Sequence, residues 1–159
     1  MPVERPGTSR ERWITYTDGA CAPSNPGPAG WGVVLIAPDG SETDHFGFIG
    51  PGTNQIAELT AALEGLSRVP PVAEVELVSD SQYVLKGLTE WRAGWERKGF
   101  RNAKGEPVAN LALWKKLFAA FDARRVTTRW VRGHNGDPHN ERADALANRA
   151  LALRASSPS

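Results

Sequence analysis

Four carboxylates set the question. Asp18 stands where the alternating stretch WITYTD runs into GACAPSNPGPAG, and Asp80 closes VAEVELVSD. Glu58 lies in TNQIAELTAALEG and Asp144 in NERADALANRA. Singly, each has a plainer role. An Asp at a strand end is commonly a turn former or a helix cap. A Glu or Asp on a helix flank is commonly a solvated charge. Gathered at one rim, the four could do more. Like charges at close range repel and hold protons unless a cation intervenes. An all-oxygen donor set suits a hard ion, Mg²⁺ or Mn²⁺, with water and phosphate oxygens completing the shell. Two such ions a few ångströms apart form a clamp for in-line phosphodiester hydrolysis.

The composition bounds what can position them. The chain has 159 residues, one ordinary domain. A domain of that size buries about two-thirds of its unfolded surface and needs no covalent staples. Lys and Arg number 19 against 18 Asp and Glu, so attraction to an anionic partner rests on local clustering, not net charge. Cys21 is the only cysteine, which excludes an internal disulfide and a zinc set. A reducing, cytoplasmic compartment fits it. No run of about 18 apolar residues occurs, so no membrane-spanning helix is expected. The leading MPVERPGTSRER lacks the apolar core of a secretory signal. The polar ends 1–11 and 155–159 are expected to be disordered around a single domain, 12–154.

The elements follow from period and punctuation. WITYTD (13–18) alternates and is β-branched, hence a strand. AGWGVVLIAPDG (29–40) is a second strand ending in a Pro-Asp-Gly turn, and 41–50 a third, so 29–50 is an antiparallel hairpin. From Thr53 the period changes: Ile56, Leu59, Leu63 and Leu66 form a helical stripe, stopped by Pro70-Pro71. VAEVELVSD (72–80) is an apolar strand. Residues 81–99 read as one or two short helices broken at Gly87 and Gly94, 100–110 as a loop and 109–123 as a helix. RRVTTRWVRG (124–133) is the last strand, and 138–155 a helix with Asp137 as its cap and Pro138 in its first turn.

The order β-β-β-α-β-α-α-β-α predicts an α/β fold, a mixed five-stranded sheet with helices on both faces. Asp18 ends the first strand and Asp80 the fourth. As parallel neighbours they emerge at one sheet edge, about 5 Å apart. Glu58 and Asp144 each flank the apolar stripe of their own helix, so all four carboxylates can converge there.

TDGAC, TNQIAEL, VSDSQYV and RGHNGDPHNERADALA, with NPGPAGWG and the WRAGWERKG–PVAN–LW run, resemble type 1 ribonuclease H, particularly the bacterial form. The motifs stand in family order over nearly the whole chain, from about Trp13 to Leu153. The resemblance implies endonucleolytic hydrolysis of the RNA strand of RNA–DNA hybrids, leaving 5′-phosphate and 3′-hydroxyl ends. It implies a pair of divalent ions, Mg²⁺ with Mn²⁺ as a substitute, held by Asp18, Glu58, Asp80 and Asp144. Asp18 would be shared by both ions, with Glu58 and Asp80 on one side and Asp144 on the other. His134 in GHNG corresponds to a mobile loop histidine assigned either to activating water or to assisting product release. Asn140 would orient Asp144 or His134, or cap the helix. Arg142 reads as a solvated helix charge, with phosphate contact as the alternative.

For the hybrid itself, the wide minor groove presents 2′-hydroxyls to the protein. The backbone of Cys21 to Asn25 is a candidate contact, because glycines and prolines let it approach sugar. Asn54, Gln55 and Gln82 are candidate polar contacts, and Thr53 either touches a DNA-strand phosphate or caps its helix. WRAGWERKGFRNAK (91–104) resembles the family's basic protrusion, with Arg92, Arg97, Lys98, Arg101 and Lys104 for phosphates. Trp95 is the better groove candidate, followed by Phe100, whereas Trp91 is as readily core. Trp13, Trp31, Trp114 and Trp130 read as packing residues. The chain departs from the bacterial pattern at CAPSN (21–25), one residue longer, and at Gln55, Ile56 and Ala57. Nothing in the pattern calls for an oligomer, and a monomer is expected. The nearest rival is a resolvase-like or integrase-like nuclease acting on DNA.

Overall fold

The computed structural model describes residues 12–133 and 136–158. Strands β1 (Arg12–Cys21), β2 (Gly27–Ile36), β3 (Glu42–Gly52), β4 (Glu74–Ser79) and β5 (Arg125–Trp130) form one sheet in the order β3-β2-β1-β4-β5. The pairs β1–β2 and β2–β3 are antiparallel; β1–β4 and β4–β5 are parallel. This is the expected mixed five-stranded sheet. The β2–β3 turn is made by Pro38-Asp39-Gly40: Gly40 takes a left-handed φ of 89°, and the Asp39 carboxylate accepts from the Ser41 N–H at 2.9 Å.

Alternation along each strand sorts the core into two layers. Val33, Leu35, Val75 and Leu77 face α1 (Asn54–Ser67) and α4 (Leu111–Asp122), meeting Leu59, Leu66, Trp114 and Leu117. Tyr16, Val34 and Val78 face the other way, toward Ala143 and Leu146 of α5 (Pro138–Leu153).

The apolar stripe of α1 is rotated from the expected one. Its buried face is Ala57, Glu58, Leu59, Ala61, Ala62, Gly65 and Leu66, while Ile56 and Leu63 are only half-buried. Small residues win this face because the helix lies close against β1. A Cβ on Gly65 would stand 2.6 Å from both Thr15 and Thr17 side chains.

Gly87 and Gly94 do not break the next helical stretch. It runs from α2 (Gln82–Lys86) through a single π turn (Gly87–Trp91) into α3 (Arg92–Arg97). Gly94 sits inside α3, and Gly87 is small for a packing reason. A Cβ there would lie 2.0 Å from the ring of fully buried Trp114.

Past α5, Ser156 and Ser157 lie against β3. The Ser157 N–H donates to the Phe46 carbonyl at 2.8 Å, and its hydroxyl accepts from the Phe46 N–H at 2.9 Å. The Ser156 hydroxyl accepts from the Phe48 N–H at 3.2 Å. The tail thus covers open hydrogen-bonding groups of edge strand β3.

Candidate active site

Asp18 does not end its strand. β1 continues to Cys21, and Asp18 pairs with Gly32 of β2. What ends there is the parallel ladder with β4, whose last pair is Thr17 with Ser79. Asp18 and Asp80 are the next residue on each strand, so both leave the ladder at the same edge.

Two close backbone approaches bring the helices to that edge. At Gly19, a Cβ would lie 2.4 Å from the backbone of Ala57 and Glu58, so only glycine lets α1 rest on β1. At Gly32, beside Asp18, a Cβ would lie 2.2 Å from the Ala143 carbonyl of α5. Gly19 therefore seats Glu58, and Gly32 seats the helix that carries Asp144.

Asp18, Glu58 and Asp80 each offer a carboxylate oxygen within 4.8 Å of the other two. Asp144 lies close enough to Asp18 to act on it by hydrogen bonding and by charge. The Gly19 N–H is shared by Asp18 Oδ1 at 3.0 Å and Glu58 Oε1 at 2.9 Å, which pins both carboxylates. Asn148, one turn after Asp144, donates its amide to the Asp144 carbonyl at 3.0 Å and carboxylate at 3.3 Å. Asp18 is 3% and Glu58 8% exposed, so water screens them little.

Burial pushes the Asp18 carboxyl up to about 10, reinforced by the charges of Glu58 and Asp80 and by Asp144. Burial and then Asp80 push Glu58 up to about 8, against the pull of the Gly19 N–H. Such a cluster is uncomfortable without a cation, and its donors are all hard oxygens. The residues present fit a divalent ion of the Mg²⁺ kind.

A pH signature follows. In the unfolded chain these carboxyls release their protons near 3.8 and 4.5, but in the metal-free native state only near 10 and 8. Across those intervals the native state binds more protons, so its stability falls as pH rises. A divalent ion that binds only the native state opposes the fall. Thermal melts in EDTA should show Tm dropping through this range, and melts in Mg²⁺ should show a smaller drop. A metal-free Tm that rises with pH contradicts the assignment.

The other predicted residues fall into place unevenly. Asn54, Gln55 and Gln82 are exposed at the starts of α1 and α2, on the rim near the carboxylates. The Thr53 hydroxyl caps α1 by accepting from the Ile56 N–H at 3.1 Å. Asn25 is exposed, and its side-chain oxygen accepts from the Asn54 N–H at 3.0 Å, tying the 22–26 loop to α1. The Cys21 thiol points at the Ser24 carbonyl, 3.2 Å away. Asn140 is buried in the first turn of α5, whose cap is Asp137. His134 lies outside the described residues.

The tryptophans exchange roles. Trp95 is the inner one, packing edge-on against Trp114 at 5.1 Å between ring centres. Trp91 is 37% exposed. Phe100 packs against the core beneath Lys115. A groove of about 490 Å³ between Trp91, Arg97, Lys98 and Arg101 makes this the basic surface. Arg92 is not part of it, because Asp122 of α4 takes its guanidinium in two 2.6 Å hydrogen bonds. Arg142 is likewise no solvated charge: it binds Glu42 at 2.5 Å and also Asp44, tying α5 to β3. Trp130 is not packing but surface, 45% exposed, with its indole N–H on the Asp80 carbonyl at 3.1 Å. Gly19, Asn148 and Trp130 carry no signal in the sequence except their neighbourhood to Asp18, Asp144 and the last strand's end.

Residues 10–152 match the family model described as RNase H. The chain belongs to the RNase H family. It is 50% identical over 137 residues to a ribonuclease H of Cupriavidus metallidurans, covering 86% of this chain and 93% of that one. Among solved structures, it is similar to LC9-RNase H1, a type 1 RNase H with the type 2 active-site motif. That match has a TM-score of 0.81 at 28% identity and covers 92% of this chain and 75% of the other. RNase H1 from the halophilic archaeon Halobacterium salinarum is 33% identical, with a TM-score of 0.63 over 89% of this chain and 98% of that one. This RNase H is of the bacterial type 1 kind, a metal-dependent endoribonuclease that hydrolyses the RNA strand of RNA–DNA hybrids. No helix among the described residues is long and apolar enough to cross a membrane.

Proposed function

We propose that this RNase H cuts at Asp18, Glu58, Asp80 and Asp144, which would hold two divalent ions, Mg²⁺ with Mn²⁺ as a substitute. The observation that carries the reading is the meeting of carboxylates from β1, α1 and the end of β4 within 4.8 Å, with Asp144 beside Asp18. Ions bound there would neutralise the scissile phosphate, activate a water and stabilise the departing 3′-oxygen, leaving 5′-phosphate and 3′-hydroxyl ends.

The chain's own residues hold the geometry. Gly19 fixes Asp18 against Glu58, and Asn148 restrains Asp144. Asp18, which lies beside the other three, would help to hold both ions. His134 would activate water or assist product release, and Asn140 would orient Asp144 or His134.

For the substrate, the 21–25 backbone, Asn54, Gln55 and Gln82 read the RNA-strand minor groove, with Thr53 free to combine its cap with a phosphate contact. Trp91, with Trp95 as its packing support, lines the basic groove for the DNA strand with Arg97, Lys98 and Arg101. One domain, 12–154, supplies every one of these groups, which supports a monomer. The single cysteine supports a cytoplasmic setting.

The test is a hybrid labelled separately on each strand, incubated with EDTA, Mg²⁺ or Mn²⁺, beside duplex DNA and duplex RNA. Cleavage of the RNA strand alone, and only with metal, is expected. Cutting of duplex DNA, or undiminished cutting in EDTA, overturns the reading.

Changing Arg97, Lys98 and Arg101 together to Ala should weaken hybrid binding. The salt dependence should flatten by roughly one unit of log–log slope for each phosphate that is no longer neutralised. All three side chains are exposed, so melting should change little. An unchanged salt slope removes this surface from the substrate path.

A further inference from the structure

A second groove lies between α2 and β5, beside the carboxylates, and meets the basic groove at Glu90. It has a volume of about 350 Å³ and is lined by Gln82, Lys86, Thr89, Glu90, Thr128 and Trp130. That volume falls in the range of about 300–1,000 Å³ typical of small-molecule sites. One wall is the exposed ring of Trp130, whose N–H is held by the Asp80 carbonyl at 3.1 Å. The ring is thus fixed to the backbone of a catalytic carboxylate while its face stays open. Lys86 is exposed, and no carboxylate among the described residues pairs with it.

We propose that this groove binds an unpaired nucleotide of the RNA strand where that strand runs on beyond the hybrid, its base on Trp130 and its phosphate near Lys86. The inference rests on the reading that the RNA strand is cut at Asp18, Glu58, Asp80 and Asp144. An open aromatic face beside an available cation is the pairing that binds single strands, because every base has a π-face and every link a phosphate. The base must be unpaired, since a base inside a duplex is already stacked on both faces. The strand is the cleaved one, because the platform is continuous with Asp80. Gln82 and Thr128 supply polar groups at the groove wall. A consequence is preferential cutting beside junctions where hybrid gives way to single-stranded RNA.

The test is competition, in Mg²⁺, between a blunt hybrid and one whose RNA strand carries a short single-stranded tail at either end. The two are labelled differently, and the readout is the ratio of their kcat/KM values. Wild type should favour one of the RNA-tailed hybrids by about five- to tenfold, the lower part of what one stacked base contributes. Trp130→Phe keeps a ring and should keep most of the preference. Trp130→Leu fills the space without a π-face and should bring the ratio near unity. Lys86→Glu, on an exposed residue, should do the same and decides the matter if Trp130→Leu does not melt cooperatively.

A wild-type ratio of one overturns the proposal. So does a ratio that survives both Trp130→Leu and Lys86→Glu, or a preference for tails on the DNA strand alone. A blunt hybrid cut without tail preference sinks only this inference, whereas an intact blunt hybrid sinks the site assignment beneath it.

Discussion

Asp18→Asn should lower hybrid cleavage by at least about 10²–10³-fold, the loss typical of removing one preorganised electrostatic group. The substitution keeps the shape and removes the charge. Asp18 sits between Glu58, Asp80 and Asp144, so no neighbour can take its place. The same change should stabilise the metal-free protein. Native Asp18 must hold a proton up to about 10, against 3.8 when unfolded, and asparagine has no such conflict. Stabilising single substitutions commonly yield about 0.5–2 kcal/mol, and this one should fall in that range. For a domain of this size that raises Tm by roughly 1–8 °C. The gain should shrink in Mg²⁺, where the wild type recovers what it lacked. Asp80→Asn should match it in activity. Wild-type cleavage by Asp18→Asn removes the residue from the mechanism, and a lowered metal-free Tm removes the electrostatic account.

Gly19→Ala should harm stability and activity together. The new Cβ would lie 2.4 Å from the backbone of Ala57 and Glu58, where no flexible side chain can give way. Overpacking of this kind costs about 1–3 kcal/mol. The structure can relieve it only by moving α1 off β1, and that stretches the 2.9 Å bond between the Gly19 N–H and Glu58. A displacement of about 1 Å in a catalytic group can cost around 10²-fold in rate. Cleavage should therefore fall even for the folded fraction, measured at a temperature well below the variant's Tm. A variant that melts early but cuts at the full rate per folded molecule would show that the close approach serves packing alone.

These expectations differ in how far the sequence supports them. Asp18 and Asp80 are legible because alternation and apolar runs mark two parallel strands, whose shared ladder runs out at one edge, although β1 itself continues to Cys21. The motifs TDGAC and VSDSQYV carry the same message through resemblance. Glu58 is legible only as a helix-flank residue. Its burial depends on α1 lying close to β1, which a periodicity count places on the wrong side, favouring Ile56 and Leu63 over Ala57 and Ala61. The tryptophans mislead for a related reason. Spacing shows that Trp91 and Trp95 share a helix face, but the π turn and Trp114 decide which of them turns inward.

By itself the sequence determined the element order and the mixed sheet and singled out the four acids as candidates, since each depends on local period, turn chemistry or motif. Only the tertiary structure decided that the acids meet, that Arg92 and Arg142 serve ion pairs, and that Trp130 lies open beside Asp80. The physical reason is contact at a distance. Glycines 19 and 32 set how near two helices come to neighbouring strands, and that nearness is a property of partners far apart in the chain.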